Sequence, residues 1–281
     1  MIPDTPTPTP MPISSAPASV RRRDFFTGGL AGLVIGGPAG LLTGRSQRPD
    51  DLSCISEPPA DPVDLLPKGV HASFAQCGED LILMWWMNAL NVTTPTYLDI
   101  GAWEPIESSN TFRMYRGGGR GVLVEPNPSL ADKIRATRPR DTLLSIGVGL
   151  TDSTEADYFM FNDSQLNTFD RGQVERVLKE PRIQLEKTLK IPLMSINRVI
   201  AEHLGGKAPD LLSIDIEGLD LACLKTVDWV KYRPKVVCAE TLITLTKSHN
   251  PETSLFMEGV GYAIRGMTYA NTFYVDKALL N

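Results

Sequence analysis

Between residues 74 and 276 the apolar positions fall into two alternating rhythms. FAQCGEDLILMWWMNAL (74–90) carries its apolar residues at helical spacing and predicts an amphipathic helix. TYLDIGA (96–102), GVLVE (121–125), Thr142–Val148, LLSID (211–215) and Lys235–Ala239, followed by Glu240, are short apolar runs that predict buried strands. Helices are expected between them. One follows the N-cap candidates Ser108–Thr111 and stops at Gly117–Gly119; another occupies 128–137 behind Pro126-Asn127-Pro128. Others cover 196–204, ending at Gly205-Gly206, then LDLACLKTV (219–227) and 252–259. The stretch 152–195 is less regular, with strand-like YFMF (158–161) and IPL (191–193) and a helix at 171–180. YAIRG (262–266) and TFYVD (272–276) predict a closing antiparallel pair. Strands alternating with helices predict a doubly wound α/β domain with a mostly parallel sheet, whose ligands sit beyond the C-terminal strand ends. Acids occupy those ends.

The first seventy residues follow neither rhythm. They hold 12 of the 22 prolines and 8 of the 23 glycines among 281 residues, which places the start of the globular domain, 71–281, at their end. The alternating Pro/Thr of residues 1–20 favours extended, solvated backbone and predicts disorder. Residues 21–44 resemble a twin-arginine export signal: Arg22-Arg23, one variable residue, then Phe25-Phe26. They depart from that pattern at Arg21 and Thr27. The uncharged run 25–44 is long enough to span a membrane as a helix, yet its seven glycines and Pro38 make it a weak anchor. Residues 45–70 read as a polar, Pro-rich linker.

Charge and cysteine usage narrow the function. A net charge of −5 without a Lys/Arg stripe lacks the footprint of a nucleic-acid binder. Cys54, Cys77, Cys223 and Cys238 are far apart, and His71, His203 and His249 are not at ligand spacing, so neither a zinc site nor a disulfide scaffold is expected.

The chemistry lies in the strand-end acids. Asp99-Ile100-Gly101-Ala102 follows the first strand, where a residue without Cβ allows close backbone approach and the acid can hold an ammonium group. Glu125 ends the second strand, a place from which a carboxylate commonly accepts hydrogen bonds from ribose hydroxyls. Together they describe a nucleoside-cofactor pocket. The turn continues Trp103-Glu104-Pro105 instead of G-x-G-x-x-G, which disfavours a pyrophosphate and favours an adenosyl cofactor without phosphates. Asp215 and Glu217 flank one residue at a later strand end. One of them could act as a general base, the pair could hold a divalent cation, or Glu217 or Gly218 could simply start the next helix.

Several stretches are similar to the FkbM-type methyltransferases, which use S-adenosylmethionine. They are SFAQCGEDLIL (73–83), YLDIGAWEPIESSNTFRMY (97–115), GVLVEPNP (121–128), LNTF (166–169), LLSIDIEGLDLACL (211–224), RPKVVCAET (233–241) and GYAIRGMTYANTFYVDK (261–277). The resemblance covers roughly 72–277 and leaves out the first seventy residues. It implies the class I Rossmann-like methyltransferase fold, a seven-stranded sheet with an antiparallel last strand. It also implies that Asp99, Gly101 and Ala102 lie near the cofactor's methionine end, that Glu125 binds ribose, and that Asp215 stands beside the transferred methyl. Asn110, Thr111 and Asn167 fall in these motifs and are candidates to line the pocket, with helix capping the competing role for Asn110 and Thr111. Trp103 could pack on cofactor or acceptor, or serve as core or lid.

The expected activity is O-methylation of a hydroxyl on a saccharide, glycolipid or related polar metabolite. A carboxylate that takes the hydroxyl proton would help such a poor nucleophile, which assigns the base to Asp215 and its orientation to Glu217, with His203 and His249 as rivals. Two alternatives stand beside it. One is a non-catalytic glycan-binding or membrane-tethered scaffold. The other is a nucleotide-sugar oxidoreductase, against which the missing phosphate-binding glycines count. The expected partners are a small-molecule or glycan acceptor, no nucleic acid, and a membrane through 25–44. Because S-adenosylmethionine is made in the cytoplasm, the catalytic domain is expected there, tethered to the inner membrane, with export as the alternative.

Overall fold

The computed structural model describes residues 66–151, 153–243 and 247–280. The stretches 1–20, 21–44 and 45–65, with the leader, the export-like signal and most of the linker, lie outside the described residues. Among the described residues no helix is long and apolar enough to cross a membrane.

The chain runs α1 (Glu79–Ala89), β1 (Thr96–Ile100), α2 (Phe112–Arg116), β2 (Arg120–Val124), α3 (Ala131–Thr137), β3 (Thr142–Leu144) and β4 (Gly147–Val148). It continues through β5 (Glu155–Phe161), α4 (Arg171–Val177), β6 (Leu185–Met194), α5 (Ile196–His203), β7 (Leu211–Ile214) and α6 (Asp220–Leu224). It closes with β8 (Val236–Glu240), β9 (Leu242–Ile243), β10 (Ser248–His249), α7 (Pro251–Gly259), β11 (Tyr262–Met267) and β12 (Asn271–Asp276).

Seven strands form one sheet in the order β11-β12-β8-β7-β1-β2-β3. The five from β8 to β3 are parallel, and β12 runs antiparallel to both its neighbours. This is the class I Rossmann-like methyltransferase arrangement with its antiparallel last strand. Residue alternation sends Leu98, Ile100, Val122, Val124, Leu212 and Ile214 into a core shared with Ile196, Val199 and Ile200 of α5. Tyr97, Leu123, Leu211, Val236 and Cys238 enter the opposite layer with Leu83 and Met87 of α1. Burial on both faces is why these strands read as unbroken apolar runs. Each such side chain contributes roughly 1.5–3 kcal/mol.

A smaller three-stranded sheet, in the order β4-β6-β5, is built around the β5–β6 antiparallel hairpin. Its own core is slight: Tyr158, Met160 and Ile191, backed by Phe169 and Leu189.

The structure departs from the sequence pattern at three places. The helix expected from residue 74 begins at Glu79. Asp80 accepts from the Ser73 hydroxyl (2.6 Å) and the Phe74 amide (2.8 Å), and these bonds hold 73–74 outside the helix. The run Thr142–Val148 is two strands in two sheets, because β4 leaves the large sheet to pair with β6. A Cβ on Gly147 would lie 2.5 Å from the Phe169 ring, so glycine permits this crossing. Finally, β6 begins six residues before IPL, in a Lys/Glu/Thr-rich stretch that is mostly exposed.

Candidate functional site

The C-terminal ends of the parallel strands gather the candidate acids. Asp99 is four per cent exposed and points into the α1–α2 layer, where Oδ2 accepts the Thr111 hydroxyl at 2.6 Å. Burial raises its pKa, against the lowering pull of the Thr111 hydrogen bond and the Arg138 charge. Thr111, at the N-cap of α2, is fully buried behind Asp99, and Asn110 donates Nδ2 to the Ser213 hydroxyl at 3.2 Å.

Gly101 has φ +83, and both its amide and that of Ala102 donate to the Val124 carbonyl, at 2.9 and 3.2 Å. A Cβ on Gly101 would fall 1.8 Å from the Asp215 carbonyl oxygen. The glycine is therefore demanded by the close approach of the Asp215 backbone, whose amide bonds the Ile100 carbonyl at 3.0 Å.

Glu125, one residue past β2, is held at both oxygens: Oε2 accepts the Trp103 amide (2.8 Å) and Oε1 the Asn127 amide (2.7 Å). Each oxygen keeps a lone pair for a ligand hydroxyl. Burial pushes its pKa up to about 7, although both backbone bonds favour the charged form. Trp103 sits at φ +47, and its indole Nε1 donates to Ser164 at 3.1 Å, which links the pocket's turn to the small sheet. Beside Glu125, an apolar slot is lined by Ile100, Val124, Ile146, Val148, Phe169 and Leu219.

The third group is denser than its spacing suggested. Carboxylate oxygens of Asp215, Glu217 and Glu240 all lie within 4.8 Å of one another, a geometry open to a shared proton or a hard cation. Burial first, then the charges of Asp215, Glu217 and Asp220, pushes Glu240 up to about 11. Glu217 has φ +53, and α6 begins only at Asp220. Asp220 accepts the amides of Ile216 (3.1 Å) and Gly218 (3.2 Å), tying down the turn that carries the other two acids.

The structure thus brings Asp99, Gly101, Ala102, Glu125, Asp215 and Glu217 to one end of the sheet, places Thr111 against Asp99, and places Asn110 against Ser213 of β7. His203 lies in the last turn of α5, before the loop that leads into the opposite end of β7. His249 bonds the Thr241 hydroxyl at 2.6 Å, one residue past Glu240. Sequence reading left out Glu240, although it stands at a strand end like the other acids. Tyr158 of β5 and the loop after it also adjoin the site: Tyr158 feels the charges of Glu125 and Glu217, Asn167 accepts the Phe161 amide at 2.8 Å, and Thr168 donates to the Glu217 carbonyl at 3.4 Å.

The residues suit an adenosyl group. A paired carboxylate with spare acceptor capacity stands beside an apolar slot, and the turn carries no glycine-rich phosphate cradle.

Among solved structures, the chain is similar to a putative O-methyltransferase from Klebsiella pneumoniae (12% identity, 75% of this chain and 84% of that one, TM-score 0.40). It is also similar to cofactor-bound Rv0187 from MTB (14% identity, 76% and 84%, TM-score 0.40). A third is the O-methyltransferase TomG from Streptomyces achromogenes, involved in tomaymycin synthesis and in complex with SAM (11% identity, 73% and 83%, TM-score 0.39). No curated protein matches the sequence. The profile of the methyltransferase FkbM domain matches residues 99–264, more than half of the chain. The chain belongs to the FkbM methyltransferase family and is an S-adenosylmethionine-dependent methyltransferase.

Proposed function

We propose that this FkbM-family methyltransferase methylates a hydroxyl oxygen of a saccharide, glycolipid or related polar metabolite, with Asp215 as the proton acceptor. The observation that carries the reading is the meeting of Asp215, Glu217 and Glu240 within 4.8 Å at the strand ends, on the same sheet edge as Asp99 and Glu125.

S-adenosylmethionine, when bound, supplies a methyl group on a sulfonium that leaves as a neutral thioether. Asp99 and Glu125 would hold its ammonium and ribose ends, and the apolar slot its adenine. Much of the rate then comes from alignment, because the acceptor oxygen must approach in line with the breaking carbon–sulfur bond. As that oxygen forms its bond to carbon its proton must leave, and Asp215 is placed to take it. Burial and the neighbouring acids raise the pKa of Glu240, which lessens the negative charge beside Asp215. Glu217 orients the pair. Trp103 and the small sheet cover the reacting end and limit water.

Incubating the full chain with labelled S-adenosylmethionine and fractionated cell glycans, lipids and metabolites tests the acceptor class. Label in a hydroxyl-bearing glycan or lipid fraction is expected; label confined to nitrogen or carbon acceptors contradicts the reading. Asp215→Asn should keep cofactor affinity while slowing turnover by about 10²-fold or more. Unchanged turnover would move the base elsewhere.

The reading extends to location: a cytoplasmic catalytic domain held at the inner membrane through 25–44, because the cofactor is made in the cytoplasm. Fractionation that recovers the protein solely from the periplasm would overturn it.

A further inference from the structure

Arg138 is the largest of the fully buried side chains among the described residues. Its Nε donates to Asp141 at 2.8 Å, Nη1 to the Ser109 hydroxyl at 3.2 Å, and Nη2 to the Tyr97 hydroxyl at 3.2 Å and the Thr111 hydroxyl at 2.9 Å. Asp141 is as buried as its partner and also accepts from the Tyr97 hydroxyl and the Gly121 amide, each at 2.8 Å. Such a buried pair is a weak source of stability, since well-packed apolar residues often do as well or better.

What the pair does possess is direction. A guanidinium only donates, and a threonine hydroxyl has one proton. With Arg138 donating to Thr111 at 2.9 Å, the Thr111 proton goes to Asp99 Oδ2 at 2.6 Å. A one-way chain of short bonds therefore runs from a buried cation to the acid at the end of β1.

Resting on the reading above that Asp99 serves the cofactor's methionine end, we propose that Arg138 is a positioning residue for that site, fixing the Asp99 carboxylate through Thr111 in the orientation and charge state that receive an ammonium group. Asp99 is faced by Arg138 and Asp141 beyond α3, Thr111 at the start of α2, Ser213 of β7, Cys238 of β8 and Glu125 after β2. Of these, Arg138 carries the positive charge. Burial raises Asp99, and the Arg138–Thr111 chain opposes the rise. Cutting the chain lets Asp99 take up its proton at a higher pH, so cofactor binding should fail earlier as pH is lowered.

The test is calorimetric titration of S-adenosylhomocysteine into the full chain, with thermal melting of each variant alongside. Arg138→Lys keeps the charge but cannot span Asp141, Ser109, Tyr97 and Thr111 together. Arg138→Lys and Thr111→Val should each weaken binding about tenfold at pH 7.5 and more at pH 6.5. Thr111→Ser should stay within about twofold of wild type, and the Arg138→Lys/Thr111→Val double variant should be no weaker than the weaker single one. Tyr97→Phe, which removes a bond to Arg138 outside the chain, should lower the melting temperature and leave affinity unchanged. Wild-type affinity in Thr111→Val overturns the proposal even if Arg138→Lys fails to fold. So does an additive double variant, or a Tyr97→Phe loss as large as that of Arg138→Lys. Absence of binding by wild type instead overturns the cofactor reading on which the proposal rests.

Discussion

The large sheet and the small one stand side by side at the site and are built by opposite means. β1, β2, β7 and β8 are buried on both faces and bring their acids to one edge within a packed frame. The β5–β6 hairpin has one slight apolar cluster, and β6 is largely exposed. Its outer face is tied by Asp157, which pairs with Arg171 at 2.7 Å and Lys190 at 2.8 Å, both in water. The frame is closely packed, as the Gly101–Asp215 approach shows; the proposed cover has far fewer buried contacts to hold it. A transferase that meets one cofactor but must admit and release an acceptor is well served by that division.

The difference can be broken most violently at Gly101. Gly101→Ala would set a Cβ 1.8 Å from the Asp215 carbonyl and demand φ +83 of an L side chain. A loss of more than about 3 kcal/mol is expected, seen as loss of soluble protein or a collapsed denaturation midpoint. A midpoint near wild type would mean that the frame is as pliable as the cover.

A smaller effect sharpens the cost of the frame's acids. Burial pushes Glu125 to about 7 from an ordinary 4.5, so the folded chain binds this proton more tightly than the unfolded chain. Stability linked to this group is fully present below pH 4.5 and is lost as pH rises to 7. Glu125→Gln, which has no proton to lose, should gain about 1–3 kcal/mol over wild type at pH 7.5 relative to pH 4.5, while losing cofactor affinity. Denaturation of both proteins at the two pH values checks this; a difference independent of pH contradicts it.

The smallest effect belongs to the cover. Lys190→Ala removes an exposed partner of Asp157 and should leave the melting temperature within error, since such pairs contribute little in water. A clear fall would show that the hairpin depends on its surface charges.

The same contrast explains what could be read in the sequence. TYLDI, GVLV, LLSI and VVCAE announce themselves because burial on two faces leaves no polar interruption, and their terminal acids follow directly. β6 is hidden because an exposed strand in LEKTLKIPLM has no apolar alternation to show. Glu240 was visible as a strand end, but its approach to Asp215 depends on the β7–β8 pairing. Arg138 was not visible at all: in ATRPRD it reads like a solvated arginine, and only the placement of its guanidinium over the Tyr97 and Tyr115 rings reveals a buried cation. The identity of the acids is local, whereas their partners come from residues far along the chain.

The most direct test of the account is calorimetric titration of S-adenosylhomocysteine into the full wild-type chain and Glu125→Ala. Glu125 is predicted to supply charge-assisted hydrogen bonds worth ~1.5–3 kcal/mol each, so wild type should bind and the variant should bind at least about tenfold more weakly. Equal affinities in the two proteins, or no binding by wild type, would contradict the pocket at the strand ends.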